Sequence, residues 1–257
     1  MDIMKNKCVC ISGSTFGIGY GIAEAFAKRG AKIVINSNED DNGAQKKISE
    51  LTECYFVKED LSTVEGAQNF INKSYDLLGQ LDTLINNAGT FLDTNFENIS
   101  QESFEKTINL NVRGYMFASQ AFAKKIKKNQ TNASIICIGS SNSKAAEKNS
   151  VMYDTSKGAV LMMIRSLAVS LASKNIRVNG IGPGILETPL TKDGLDKGKN
   201  REVIKSQIPL RRIGSPRDIG GAAVFLSSEE AAYITGQMLY IDGGILANQL
   251  NWDQSLL

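Results

Sequence analysis

Short apolar runs rich in Val and Ile alternate along the chain with longer stretches whose apolar positions recur at helical spacing. The runs at 8–11, 33–35, 54–57, 83–85, 134–138, 176–180 and 238–241 predict strands. Stretches 17–29, 41–51, 64–78, 101–128, 151–173 and 216–227 predict helices, with turn residues at their ends. The strand runs are almost continuously apolar rather than alternating, as expected of strands buried on both faces. Repeated strand-helix units of this kind predict an α/β fold, a doubly wound parallel sheet of about seven strands within three layers. No repeat or linker divides the pattern, so one domain is expected over 1–257. The irregular stretch 185–209, rich in Lys, Asp and Gly, reads either as a mobile substrate lid or as a plain surface loop.

Composition narrows the chemistry. Of 257 residues, 42% are apolar and 22% charged, which excludes disordered and collagen-like classes. Lys plus Arg is 29 against 27 for Asp plus Glu, and the signs are interspersed, so neither nucleic acid nor an anionic membrane is called for as partner. There is no histidine, which removes histidine-based triads, metal ligands and proton shuttles. Cys8, Cys10, Cys54 and Cys137 lie in strand-like runs without a Cys-x-x-Cys pair, pointing to reduced, buried thiols rather than a metal site or redox couple. The opening segment 1–7 leads into too few apolar residues for a signal-peptide core. The longest apolar region, 159–172, is interrupted by Arg165, Ser166 and Ser170 and is too short to span a bilayer. A soluble, cytoplasmic protein is expected.

The first strand runs into Ser12-Gly13-Ser14-Thr15-Phe16-Gly17-Ile18-Gly19, and a helix follows. Glycines at a strand-to-helix turn let backbone approach a pyrophosphate, and the helix N-terminus offers N–H donors. A plain tight turn is the alternative, and the spacing is Gly-x-x-x-Gly-x-Gly rather than Gly-x-Gly-x-x-Gly. Together with Asn86-Asn87-Ala88-Gly89, Tyr153-x-x-x-Lys157 and Pro183-Gly184-x-x-x-Thr188, this loop closely resembles the short-chain dehydrogenase/reductase family. The resemblance runs from about Lys7 to Gly244, ending in Ile241-Asp242-Gly243-Gly244.

It implies a Rossmann-type fold, an NADP or NAD cofactor and hydride transfer between that cofactor and a ketone or secondary alcohol. Asp60 and Leu61 are expected to flank the adenine, and Asn87, Ala88 and Gly89 the ribose side. Pro183, Gly184, Ile185 and Thr188 join the expected cofactor site with Tyr153 and Lys157. Ser12 stands where the family usually has threonine, and it keeps the hydroxyl that can tie the glycine loop to Asn87 and Ala88. Ser37 and Asn38 end the second strand where an acidic residue would favour NAD. The repelling carboxylate is missing, which favours NADP, although neither Asn38 nor Phe16 supplies a basic group.

Tyr153 and Lys157 stand four apart on a predicted helix and so share a face. Lowering a phenol from about 10 to about 7 requires roughly 4 kcal/mol of preferential phenolate stabilisation. Lys157, with a positively charged nicotinamide, is expected to supply it. Tyr153 then acts as acid/base on the reacting oxygen. By resemblance, Ser140 hydrogen-bonds that oxygen, with Ser141 the lesser candidate, and Asn111 holds a water linking Lys157 to solvent.

The overall layout looks most like β-ketoacyl-acyl-carrier-protein reductases and their paralogues, so a β-ketoacyl thioester is one expected substrate and a sugar or polyol the alternative. A non-catalytic nucleotide-sensing or scaffold protein is the remaining class. Lys124, Lys125, Lys127 and Lys128 form either a docking patch for acyl carrier protein or an ordinary solvated helix end. The broad apolar surface of helix 151–173 points to a partner subunit; the family resemblance implies a homotetramer, with a dimer the alternative that sequence leaves open.

Overall fold

The computed structural model describes residues 3–248. The expected single domain over 1–257 also includes 1–2 and 249–257, which lie outside the described residues. Seven parallel strands form one sheet: β1 (Cys8–Ile11), β2 (Lys32–Ser37), β3 (Cys54–Lys58), β4 (Thr83–Asn86), β5 (Ala133–Ile138), β6 (Ile176–Pro183) and β7 (Met238–Ile241). Their spatial order is β3-β2-β1-β4-β5-β6-β7. The chain therefore winds outward from β1 to one edge and then restarts at β4 toward the other. The crevice at the carboxyl ends of β1 and β4, where the winding reverses, is where such sheets accept ligands.

Alternation along each strand divides the apolar residues between two cores. Val9 and Ile11 of β1, with Ile33 and Ile35 of β2, face α1 (Gly17–Ala27), α2 (Ala44–Ser49) and the C-terminal α9 (Pro216–Ser227). Cys10 and Val34 face the opposite way, against α3 (Val64–Leu78), α5 (Tyr115–Lys125) and α6 (Val151–Leu171). Both faces are covered, which is why the strands read as unbroken apolar runs. Close packing of α1 on α9 depends on missing side chains: a Cβ on Gly21 would meet Pro216 at 2.6 Å, and one on Gly220 would meet Ala25 at 2.5 Å.

The predicted helices need three corrections. The expected helix 101–128 is α4 (Gln101–Ile108), a π-helical turn over Asn109–Gly114, and α5, with the chain extended from Ile126. The turn takes an extra residue where Gly114 passes so close to the Leu61 carbonyl that a Cβ would lie 2.5 Å from it. The expected 41–51 helix shortens to α2 because Asn42 and Gly43 adopt positive φ, and Asp41 accepts the Gln45 N–H at 2.8 Å. The irregular stretch 185–209 contains two short helices, α7 (Pro189–Leu195) and α8 (Asn200–Gln207).

Helix α6 continues into a 3-10 turn, and the run Val151–Lys174 is long and apolar enough to cross a membrane by length and composition, although 159–172 alone is not. Here the helix packs on the sheet through Met152, Val160, Met163, Ile164 and Ala168, as a core helix of a three-layer fold does.

Candidate active site

The loop after β1 reaches its shape through a braced backbone. Ser12 Oγ accepts the N–H groups of Asn87 and Ala88 at 2.9 and 3.0 Å, tying the glycine loop to the segment after β4. In return, Asn87 donates its amide to the carbonyls of Ser12 and Gly13, at 3.0 and 2.7 Å. Asn36, buried at the end of β2, accepts the Gly13 N–H at 3.1 Å and donates to the carbonyls of Val57 and Glu59 at 3.0 and 3.1 Å. One side chain thus locks the first three strand ends together.

Two features suit the resulting cradle to an anion. Gly13 and Gly17 both have φ near +59°, and a Cβ on Gly13 would stand 2.7 Å from the Ala88 Cα, so the loop admits no side chain there. Helix α1 begins at Phe16 with no side-chain cap and no acidic residue in its first turn, which leaves its leading N–H donors available. Above them lies an open cleft of about 210 Å³. The donors, the glycine approach and the cleft lining, which runs from the loop to the ends of β2, β3 and β4, fit a dinucleotide with its pyrophosphate on the α1 N-terminus.

A second group of side chains converges between β5 and α6. Lys157 is buried and donates Nζ to the Ile138 carbonyl at 2.9 Å, while lying over the faces of Tyr153 and Tyr115, 5.5 and 5.6 Å from the ring centroids. Tyr115 donates its hydroxyl to the same carbonyl at 3.3 Å. Phe91 meets Tyr153 edge to face, centroids 5.0 Å apart. Asn111, inside the π-helical turn, has a fully engaged amide: it accepts the Thr90 N–H at 2.8 Å and donates to the Thr90 carbonyl and Ser156 Oγ, both at 3.0 Å. Ser156 in turn donates to the Tyr153 carbonyl at 2.7 Å.

Burial sets the protonation of this group. It pushes the Tyr153 phenol up to about 12, with the Ser140 hydroxyl offsetting part of the rise and the Glu147 and Asp154 carboxylates adding to it. Burial pushes Lys157 down to about 8, against a smaller opposing influence of Cys137. The protein's own groups therefore hold Tyr153 as a neutral phenol at pH 7. The expected lowering toward 7 calls on Lys157 together with a positively charged nicotinamide; without that charge, burial outweighs the other influences on the phenol.

Comparison with known proteins agrees with this architecture. The family described as enoyl-(acyl carrier protein) reductase matches residues 13–246. An L-rhamnose 1-dehydrogenase (NAD(P)(+)) of Sphingomonas is 31% identical over 252 residues, covering 96% of this chain and 99% of the relative. Glucose 1-dehydrogenase 2 of Bacillus subtilis is 32% identical over 247 residues, covering 94% and 95%. The structure of the Pseudomonas aeruginosa RhlG/NADP active-site complex superposes with a TM-score of 0.89 at 28% identity, covering 94% and 97% of the two chains. The chain belongs to the short-chain dehydrogenase/reductase family. It is an NAD(P)-dependent oxidoreductase acting on CH–OH groups.

In this dehydrogenase most of the expected cofactor residues line the cleft. They are Gly13, Thr15, Phe16, Gly17 and Ile18 of the loop, Ser37 and Asn38 after β2, Asp60 and Leu61 after β3, Asn87, Ala88 and Gly89 after β4, and Thr188 before α7. Ser12, Ser14 and Gly19 lie beneath that wall as braces: Ser14 donates to the Ile11 carbonyl at 2.7 Å, and a Cβ on Gly19 would strike the Gly13 carbonyl. Pro183 is buried at the end of β6, and Gly184 is held against Asp242. Ile185 borders a separate small cavity with Ile208 and Leu210 instead of the cleft, because the chain turns there to pair Leu186 with Gly214.

Asn36, Glu59, Leu110 and Leu190 also line the cleft and were not expected from sequence. A signal existed for Asn36 alone, a polar residue ending an otherwise apolar strand run. Tyr153 and Lys157 do not line the cleft wall itself; Asn111, set beside Gly89, and Ser156 connect their helix to it.

Proposed function

We propose that this dehydrogenase interconverts a small polyhydroxylated alcohol, of the sugar or polyol class, and the corresponding carbonyl compound or lactone, with NADP preferred over NAD. The observation that carries this reading is the convergence of Tyr153, Lys157 and Ser140 between β5 and α6, joined to the dinucleotide cradle through Asn111 and Ser156. Tyr153 is the proton donor to a carbonyl oxygen and the acceptor from an alcohol. Its neutral form suits reduction directly. For oxidation, Lys157 and the bound cofactor together lower the phenol. Bound NADP(H) supplies or accepts the hydride, and its oxidised form adds positive charge to the site. Ser140 holds the reacting oxygen. The engaged side chain of Asn111 fixes the π-helical turn and, through Ser156, the start of α6, and Asn111 holds the proton-relay water.

The polar residues Ser140, Ser141 and Asn142 beside Tyr153 suit hydroxyl-bearing substrates, and the matching relatives are named for rhamnose and glucose. Ser37 favours NADP by leaving a 2'-phosphate unopposed at the end of β2. The segment 185–209, carrying α7 and α8, is the substrate lid, with Thr188 and Leu190 already on the cleft wall. Met162 and Val169 stand 56% and 82% exposed on α6, and a second copy of the chain covers them in a homotetramer. Four buried, free thiols suit a cytoplasmic setting.

A β-ketoacyl thioester presented by acyl carrier protein is the second reading, favoured by exposed Lys124, Lys127 and Lys128 at the end of α5. Nicotinamide absorbance with D-glucose, L-rhamnose and acetoacetyl-coenzyme A, each with both nucleotides, separates the two. Sugar oxidation with NADP supports the first reading, and turnover confined to the thioester replaces it with the second.

A further inference from the structure

Next to Tyr153 in sequence stands Asp154, whose carboxylate sits in the first turn of α6 and faces back toward the loop after β5. Its two oxygens have different partners: one accepts the Asn142 side-chain amide at 2.7 Å, the other the Glu147 N–H at 3.1 Å. A carboxylate can only accept from these groups, so the Asn142 amide must turn its nitrogen to Asp154. The amide oxygen is thereby fixed toward the hydroxyls of Ser140 and Ser141, which donate to it at 3.2 and 3.4 Å. Ser140 Oγ also accepts the Asn142 N–H at 3.1 Å. Ser140 and Asn142 are both nearly buried, and little solvent competes for these bonds.

We propose that Asn142, oriented by Asp154, is a positioning residue that fixes where the Ser140 hydroxyl oxygen stands. This rests on the reading of Ser140 as the group that holds the reacting oxygen. Two bonds to a single neighbour, one given and one received, determine where Ser140 Oγ stands, and the carboxylate determines which end of that neighbour it meets. Asp154→Asn breaks the arrangement without removing bulk. An amide at 154 that still accepts the Glu147 N–H turns its own nitrogen to Asn142, whose amide must then reverse and offer donors to Ser140. Asn142→Asp sets two carboxylates against each other. The reciprocal exchange, carrying both changes, restores every bond: a carboxylate at 142 accepts from Ser140, Ser141 and the amide at 154, whose oxygen accepts the Glu147 N–H.

The test is a set of variants assayed with whichever of D-glucose, L-rhamnose or acetoacetyl-coenzyme A is turned over. Each single substitution is expected to lower kcat by about tenfold to a hundredfold, with KM and NADP affinity nearly unchanged, as a misplaced reacting group does. The exchanged pair recovers most of the loss. In a Ser140→Ala background, Asp154→Asn costs nothing further. Independently of turnover, the side-chain amide nitrogen resonance of Asn142, assigned by its disappearance in Asn142→Asp, moves on Asp154→Asn. Unchanged kcat in Asp154→Asn, a loss that simply adds to that of Ser140→Ala, no recovery in the exchanged pair, or an unmoved amide resonance each overturns the proposal. If Ser140→Ala itself keeps full turnover, the reading of Ser140 fails instead.

Discussion

The cradle after β1 and the cluster between β5 and α6 solve opposite physical problems. In the cradle, backbone N–H groups face the ligand, and side chains such as Ser12, Asn36 and Asn87 only brace that backbone. Its working residues are those with the least to offer chemically, and adding atoms damages it. In the cluster, the backbone is the support, and buried side chains bring an ammonium against a phenol, the groups proposed to carry the charge and the proton. There a substitution that keeps shape but changes a proton or an orientation does the damage. The cradle thus accounts for affinity and the cluster for turnover, and the two are separable by mutation.

The largest expected effect belongs to the cluster. Tyr153→Phe keeps the ring, its edge contact with Phe91 and the cation above it, and removes the hydroxyl proposed to carry the proton. Turnover should fall by about 10³-fold or more in steady-state assays, at the upper part of the range for general acid-base groups. Lys157→Met follows, with turnover lower by about a hundredfold. It also carries a pH signature. Burial pushes Lys157 down to about 8 from the ordinary lysine value of 10.5, so the folded state disfavours its charged form. That penalty is complete below pH 8 and is relieved as pH rises from 8 to 10.5, so Lys157 makes wild type gain stability over that window relative to Lys157→Met. Melting temperatures of the two proteins across the window measure it; a constant difference counts against the assignment.

Ser37→Asp sharpens the cradle side. A carboxylate at the end of β2 should weaken NADP by about tenfold while sparing or improving NAD, read as the ratio of kcat/KM values. The smallest effect is expected in segment 185–209, the proposed lid. Arg201 donates to both Glu187 and Asp196, but all three are substantially exposed. Arg201→Ala should leave the urea midpoint within error while raising KM a few-fold, and a large stability loss would make the lid a structural element instead.

Legibility from sequence follows the same division. Strands β1 and β7 lie where the apolar runs predict them, and the parallel winding follows from their unbroken apolarity. The glycine loop and the Tyr-x-x-x-Lys pair are local patterns whose geometry is fixed by a turn or by one helical repeat, so spacing alone reveals them. What spacing misses is contact between distant segments. Glu59 and Leu110 reach the cleft only because β3 and the π-helical turn end beside it. The turn has no proline or glycine in its first positions to announce the break in 101–128. Helix α8, whose eight residues include only Val203 and Ile204 as apolar ones, gives no signal above the polar background of 185–209. The i,i+4 spacing likewise places Lys157 beside Tyr153 but does not show the Ile138 carbonyl that the ammonium also meets.

Calorimetric titration of NADP into Gly13→Ala and Tyr153→Phe, with folding verified by circular dichroism, tests the separation most directly. Gly13→Ala, which sets a Cβ against Ala88 at a positive φ, should bind at least about tenfold more weakly. Tyr153→Phe should bind as wild type does while turning over nothing. Tight binding by Gly13→Ala, or lost binding in Tyr153→Phe, would contradict the division of affinity and chemistry between the two regions.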